Sequence, residues 1–247
     1  MKSFVIGDEM DRTAVVTEAF TELAPRYERT MDQELRQFWN LSYAQFIEDL
    51  ARAAEIREGD VVLDVATGTA ALPVHLARRA GTSSSIVGLD ITEAMLRRGN
   101  TNLHAADACR AVQLVCASGT AMPFAGSSFD VVLCGLGTHH IDVPQLLFEM
   151  RRVLRPGGRL VLADVGASAF WRSVMGGLLL QGLLLRYRLS HRSARVRAEA
   201  DAFPNVRTAD EWRDLLRVSG FRDRRVIERP ARHRWYPNAL TIQAVAG

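Results

Sequence analysis

The chain has 247 residues, 48% of them apolar and 24% charged, with 18 glycines and 8 prolines. This is ordinary globular composition; it excludes a disordered, collagen-like or coiled-coil chain and leaves enough length to bury a full core. The net charge of +3 is a balance of 31 basic and 28 acidic residues, so no dominant electrostatic footprint for nucleic acid is present.

Met1 to Arg12 lacks the apolar stretch of a signal peptide, and no apolar run reaches the roughly 18 residues that span a bilayer. Cys109, Cys116 and Cys134 lack CxxC spacing and read as reduced, buried thiols, so a cytoplasmic location is expected. From Thr13 to about Leu50, apolar residues such as Val16, Phe20, Leu23, Leu35, Phe38 and Phe46 recur at helical spacing, broken at Pro25, and predict a helical cap over 13–55. Val61 to Val65 is a short apolar run that ends in a turn. Leu72, Leu76, Ala77 and Ala80 then mark a helical face with Pro73 in its first turn.

The alternation continues with Ile86 to Leu89 before Thr92 to Leu103, Val112 to Val115 before a loop, and Val131 to Leu133 before Pro144 to Leu154. Arg155-Pro156-Gly157-Gly158 stops that helix, and Leu160 to Val165 makes a fifth strand. Runs this continuous suit a parallel sheet covered on both faces. Residues 168–207 interrupt the pattern with the leucine-rich run Leu178 to Leu185, followed by Arg186, Arg188, Arg192, Arg195 and Arg197. Thr208 with Glu211 is a capping box opening a helix that closes at Gly220, and strands near Arg225 to Ile227 and Leu240 to Val245 follow. The expectation is one α/β domain over 1–247: a doubly wound, Rossmann-like, seven-stranded, mostly parallel sheet with a core over 60–166, a helical insertion over 168–207 and a C-terminal unit over 208–247.

The most informative residues are Leu63-Asp64-Val65-Ala66-Thr67-Gly68-Thr69-Ala70, where the first strand turns into a helix, together with Asp90 at the end of the second strand. In a doubly wound sheet a nucleotide-like ligand sits there, and the second acidic residue can accept both hydrogen bonds of a ribose diol. A dinucleotide needs three glycines so that its pyrophosphate can approach the backbone, but those positions read Ala66, Gly68 and Ala71. The Asp64 carboxylate also repels a pyrophosphate and attracts the ammonium and sulfonium of S-adenosylmethionine. The methyl donor is the better fit.

Here the chain resembles the class I S-adenosylmethionine-dependent methyltransferases, most of all the branch of ubiquinone and menaquinone C-methyltransferases. The residues that carry the resemblance are Ala19-Phe20 through Ala24-Pro25-Arg26-Tyr27, Val62 to Thr69, Gly88 to Thr92 with Met95-Leu96, Met122-Pro123-Phe124 with Ser128-Phe129-Asp130, and Leu154 to Gly158. They span Phe20 to Val165, with weaker support from Gly220-Phe221. The resemblance implies that Asp64, Thr67, Gly68 and Thr69 line the methionine part of the donor, that Asp90 holds the ribose, and that Ile91 and Met95 lie beside the adenine. It further implies that Tyr27 closes over the donor. Ser118, followed by Gly119 and Thr120, stands where relatives place an Asp or Asn before the adenine amine, and Ala66, Gly135 and Leu136 complete the expected set. The demethylated product would be S-adenosylhomocysteine.

Methyl transfer is a displacement that positioning and desolvation can accelerate, so no metal is required. A hydroxyl or ring-carbon acceptor must lose a proton, which makes a base useful. His139 and His140 follow the fourth strand and Asp164 ends the fifth, on the same edge of the sheet, so parallel neighbours bring them together. A carboxylate fixes an imidazole's tautomer and raises its basicity. Similar sugar and natural-product O-methyltransferases match His139 with Asp164, whereas quinone C-methyltransferases tend to carry Arg-Asn at the His-His positions. The other reading of His140 and His139 is a wall of the donor pocket.

The sequence therefore points first to methylation of a hydroxyl or activated ring carbon on a small, largely apolar, natural-product type of acceptor. A quinone-type C-methyltransferase is the alternative, and a noncatalytic module that binds the donor or its product is another. The insertion reads as a hydrophobic lid over the acceptor, with Trp39, Trp171 and Phe203 as candidate lining. Its competing readings are a buried helix, a homodimer contact and, less favoured, a membrane contact.

Overall fold

The alternation of apolar runs and helical faces builds the expected doubly wound sheet. Among the described residues, seven strands form one sheet in the order β3-β2-β1-β4-β5-β7-β6. The structure, a computed structural model, describes residues 3–80, 85–178, 181–182, 194–233 and 235–247. The strands are β1 (Val61–Val65), β2 (Ser85–Asp90), β3 (Val112–Cys116), β4 (Phe129–Gly135), β5 (Leu154–Gly166), β6 (Phe221–Arg229) and β7 (Asn238–Ala246). β1 to β5 run parallel, and β7 lies antiparallel between β5 and β6.

The two faces are separated by strand periodicity. Val62, Ile86, Val131, Leu133 and Val161 pack with helices α1 (Ser3–Leu23), α2 (Tyr27–Trp39), α3 (Tyr43–Ala53), α4 (Ala71–Ala80) and α5 (Glu93–Ala105). Leu63, Val65, Leu89, Val132, Leu160 and Leu162 pack the other way, against α6 (Val143–Val153) and α9 (Ala209–Val218). Trp212 of α9 and Phe221 are almost wholly enclosed, and truncating such an aromatic costs about 3–5 kcal/mol. The expected capping box is made in full: Thr208 Oγ1 accepts from Glu211 N, and Glu211 Oε2 accepts from Thr208 N.

Several boundaries differ from the sequence reading. The helical cap begins at Ser3 rather than near Thr13. β5 begins at Leu154 and runs through Arg155-Pro156-Gly157-Gly158, because Gly157 at φ +78° lets the strand bulge where its pairing with β4 slips. β6 covers nine residues, most of them charged, and forms the sheet edge, where charge discourages pairing with another chain. Cys134 is buried as expected, but Cys109 and Cys116 are exposed, the latter because β3 is the opposite edge.

The insertion contributes α7 (Ala169–Arg172) and α8 (Ala194–Ala202). Most of the leucine-rich run, and Arg186, Arg188 and Arg192, lie outside the described residues. α8 packs on α1 through Ala194, Ala198 and Ala19, and Arg195 and Arg197 reach Glu34 and Glu18 of the cap. No helix among the described residues is long and apolar enough to cross a membrane.

Candidate active site

The chain leaves β1 and β4 in opposite directions around the sheet, and the crevice of a doubly wound fold opens at that point. The loop from β1 to α4 turns by placing Ala66, Gly68 and Ala70 at φ +55°, +56° and +58°. Glycine adopts this conformation freely; the two alanines hold it at a cost of about 1–2 kcal/mol each, so packing dictates the loop's shape. A Cβ at Gly68 would also stand 3.1 Å from Met95 Cε, so the end of that side chain would have to shift.

Asp90 fastens the loop from the next strand. Its Oδ2 accepts from Gly68 N at 2.9 Å and its Oδ1 from Thr92 N at 2.8 Å. Burial raises its pKa while these backbone bonds pull it down, and the first effect is larger. The Thr92 side chain and Ile91 N also bond to this carboxylate, and Asp90 still borders the crevice, where a ribose diol would meet it.

Above the loop lies a cavity of about 460 Å³. Tyr27, Ala66, Gly68, Asp90, Ile91, Met95, Ser118, Gly119, Thr120, Gly135, Leu136, His139 and His140 all line it. Asp64, Thr67, Thr69 and Asp164 stand behind that lining. Asp64 is 2% exposed and accepts from Thr67 Oγ1 at 2.6 Å; burial pushes its carboxyl up to about 7 despite that bond, with Asp90 adding to the rise. Thr69 Oγ1 is buried with no hydrogen-bond partner. Ser118 and Thr120 bond to each other at 2.8 Å on the cavity wall. Tyr27 is buried beside Phe20 and Tyr43, and burial followed by Asp90 pushes its phenol far up, so it is neutral.

The His139 and Asp164 side chains meet as the strand order requires, with Nδ1 2.7 Å from Oδ1. Asp164 is wholly enclosed and accepts also from Thr138 N and its own neighbour Val165 N at 2.7 Å, and from Thr138 Oγ1. Burial raises its pKa, but His139 and these donors outweigh it and the carboxyl lies below its ordinary range. Burial likewise lowers His139, but the Asp164 charge outweighs it and the net direction is up. Burial and the neighbouring His139 hold His140 far below the ordinary imidazole value, so it is neutral. An ionised Asp164 accepts a hydrogen bond from Nδ1–H, which leaves Nε2 of His139 as the basic atom.

A second cavity, of about 210 Å³, adjoins the first. Phe20, Tyr27, Leu136, His139, His140 and Ala202 line both. The rest of its wall is largely aromatic and aliphatic, with Met31, Leu35, Phe38, Trp39, Trp171 and Phe203, and with Glu34 and Glu199 as its carboxylates. Trp39 is fixed by donating to Pro237 O at 2.7 Å, and the Trp171 and Phe203 rings lie 4.8 Å apart. The histidine pair is thus a partition between a crevice of mixed polarity and a more apolar one.

Residues the sequence reading did not find include Val15 and Val16 of α1 and Ala198, Asp201 and Asn205 of the insertion, which close the first cavity. Asn205 Nδ2 donates to His139 O at 3.2 Å. Nothing local in the sequence marks them, because their positions depend on α8 crossing back to the cap. The set fits S-adenosylmethionine: Gly68, where a Cβ would crowd Met95, and Asp90, a buried carboxylate for a diol, both line the cavity.

The profile of the ubiE/COQ5 methyltransferase family matches residues 8–170. The ubiquinone/menaquinone biosynthesis C-methyltransferase UbiE of Geobacter sulfurreducens is 28% identical over 214 residues, covering 84% of this chain and 81% of its own length. The demethylmenaquinone methyltransferase of Listeria welshimeri is 32% identical over 165 residues, covering 64% of this chain and 66% of its own. Among solved structures, an S-adenosylmethionine-dependent methyltransferase from Aquifex aeolicus superposes with a TM-score of 0.62 at 16% identity, over 91% of this chain and 98% of that one. At that identity it establishes the fold.

Proposed function

This chain belongs to the ubiE/COQ5 methyltransferase family and is an S-adenosylmethionine-dependent methyltransferase, and from that premise we propose that it methylates an activated ring carbon of a reduced-quinone type of aromatic. The sequence reading put a natural-product acceptor first; the similarity to quinone C-methyltransferases supports the quinone alternative better. The observation that carries the proposal is the apolar, aromatic-walled cavity on the far side of the histidine partition, which suits a planar ring with an apolar substituent. Three unpaired cysteines support a cytoplasmic location.

When bound, the donor supplies an electrophilic methyl group and leaves as S-adenosylhomocysteine. The chain's own residues do the rest. Gly68, Asp64, Thr67 and Thr69 shape the methionine end, Asp90 holds the ribose, and Ile91 and Met95 flank the adenine. Ser118, Gly119 and Thr120 face the adenine edge, Ala66, Gly135 and Leu136 close the floor, and Tyr27 covers the donor as a neutral phenol. His139 takes the proton the acceptor loses, on Nε2, while Asp164 keeps Nδ1 protonated and stabilises the imidazolium. His140 walls the same contact.

The His139–Asp164 pair favours a second reading, O-methylation, because a hydroxyl acceptor needs a base directly. Incubation with S-adenosylmethionine and a demethylated menaquinol, alongside simple phenols, separates the two by mass spectrometry and NMR of the product. A new carbon-bound methyl on the quinol is expected. Methylation of oxygen alone, or of the phenols and not the quinol, overturns the quinone reading.

A further inference from the structure

His139, His140 and Glu199 each offer a ligand atom, and those atoms lie within 4.8 Å of one another. The histidines come from the turn after β4 and the glutamate from α8, so this grouping exists only because the insertion folds back over the site. We propose that these three side chains form a binding site for a divalent transition-metal ion of the zinc type, and that its occupancy switches methyl transfer off. The second half rests on the assignment of His139 as base in the reading above.

Two imidazoles and one carboxylate are a ligand set for zinc and its transition-metal neighbours rather than for magnesium or calcium, which take oxygen ligands. In a tetrahedral site with bonds near 2.0–2.1 Å, ligand atoms stand about 3.4 Å apart, so closure needs a shared movement of roughly 1.5 Å. Glu199 can supply it: its side chain is 42% exposed, and Arg195, 3.9 Å away, is engaged chiefly with Glu34.

Two independent features point to a ligand here. The His140 side chain is only 5% exposed, yet its Nδ1 has no hydrogen-bond partner and its Nε2 stands 3.9 Å from Glu199 Oε1, beyond hydrogen-bond length. Coordination through Nε2, the nitrogen nearer Glu199, would give this imidazole a partner on the side that faces the carboxylate. His139, for its part, already has the outer carboxylate of a metal-ligating histidine, since Asp164 holds Nδ1 and directs Nε2 away from itself.

The consequence for catalysis follows from lone pairs. Nε2 of His139 has one, and it can bind a metal or accept the acceptor's proton, not both. The two histidine ligands line both cavities and Glu199 lines the second, so the ion would stand at their boundary. A metal here is an inhibitor and is not needed for transfer.

The test uses the full chain with Cys109→Ser and Cys116→Ser, because exposed thiols are themselves potential zinc ligands. Titration with Co²⁺ is followed by visible absorption, and Zn²⁺ is then added in competition. One ion per chain with a tetrahedral spectrum is expected; Glu199→Gln weakens it at least about tenfold and Asp164→Asn about 10–100-fold. Glu199→Gln alters an exposed position, and an unchanged Tm without metal shows that it folds. Equal affinity in Glu199→Gln, or no tetrahedral spectrum, overturns the site. In the activity arm, Zn²⁺ abolishes methyl transfer and a chelator restores it. Binding without inhibition overturns the switch and the role of His139 as base. Metal binding intact in a protein that methylates no quinol overturns the acceptor assignment and leaves the site standing.

Discussion

Replacing Asp164 with asparagine probes the ion pair on which the proposed proton transfer depends. The wild-type carboxylate collects Thr138 N, Val165 N and His139 Nδ1 at 2.7 Å each, with its side chain wholly enclosed. Asparagine keeps one acceptor oxygen and turns the other into a donor, so at least one of these groups faces an NH₂. Breaking a buried ion pair from one side costs about 3–5 kcal/mol, which for a chain of this size lowers Tm by roughly 6–20 °C. The pH dependence has a definite sign. Asp164 is depressed, so its contribution is present above the unfolded value of about 3.9 and disappears as pH falls through the lower folded value. His139 is raised, so its contribution is complete below the unfolded value of about 6.5 and is lost as pH rises through the higher folded value.

The pair therefore contributes most between about pH 4 and 6.5. Urea unfolding of wild type and Asp164→Asn at about pH 5.5 and about pH 9 should show the larger gap at the lower pH. Activity gives an independent sign. With the carboxylate gone and burial unchanged, His139 becomes less basic, so the acid limb of kcat/KM moves to lower pH while the plateau falls. A stability gap under about 1 kcal/mol at the lower pH, or an acid limb that moves upward, would refute the assignment of an ionised pair.

Two further outcomes are expected. Asp64, pushed up to about 7 chiefly by burial, gains a cation as neighbour when the donor binds, so binding near neutrality releases protons and affinity climbs with pH up to about 7 before levelling. Calorimetry in two buffers of different ionisation heat measures this, and identical heats would remove the electrostatic argument for a cationic ligand. Gly137→Ala places a Cβ 2.6 Å from Ala66 Cβ, forcing the loops after β1 and β4 apart at about 1–3 kcal/mol; an unchanged melting temperature would show that the loops do not approach so closely.

The donor side of the site was legible because it is local. Gly68 and Asp90 are placed by one strand-turn-helix unit and the next strand, and the meeting of His139 with Asp164 needed only that β4 and β5 be parallel neighbours. The acceptor side was not, since it is assembled from distant pieces. Trp39, Trp171 and Phe203 come from α2 and the insertion, and no periodicity in either announces a shared wall. Glu199 is one acidic residue on an alanine-rich helix until α8 lands beside His140. The boundary errors have the same origin: Gly157 reads as a stop until pairing with β4 shows a bulge, and the strand near Arg225 to Ile227 reads as short until its charged flanks are seen to lie along the sheet edge.

The seat of β7 has a consequence for how the protein is made. Its slot between β5 and β6 means that β5, once synthesised, keeps one edge bare until roughly 70 further residues have left the ribosome, several seconds at about 5–20 residues per second. During that interval β5 presents the open backbone groups of its apolar stretch from Leu160 to Ala163, a template for mispairing with other chains. Slowing translation between Gly166 and Asn238 should lower soluble yield without altering the finished protein, and supplying a holdase chaperone should recover it.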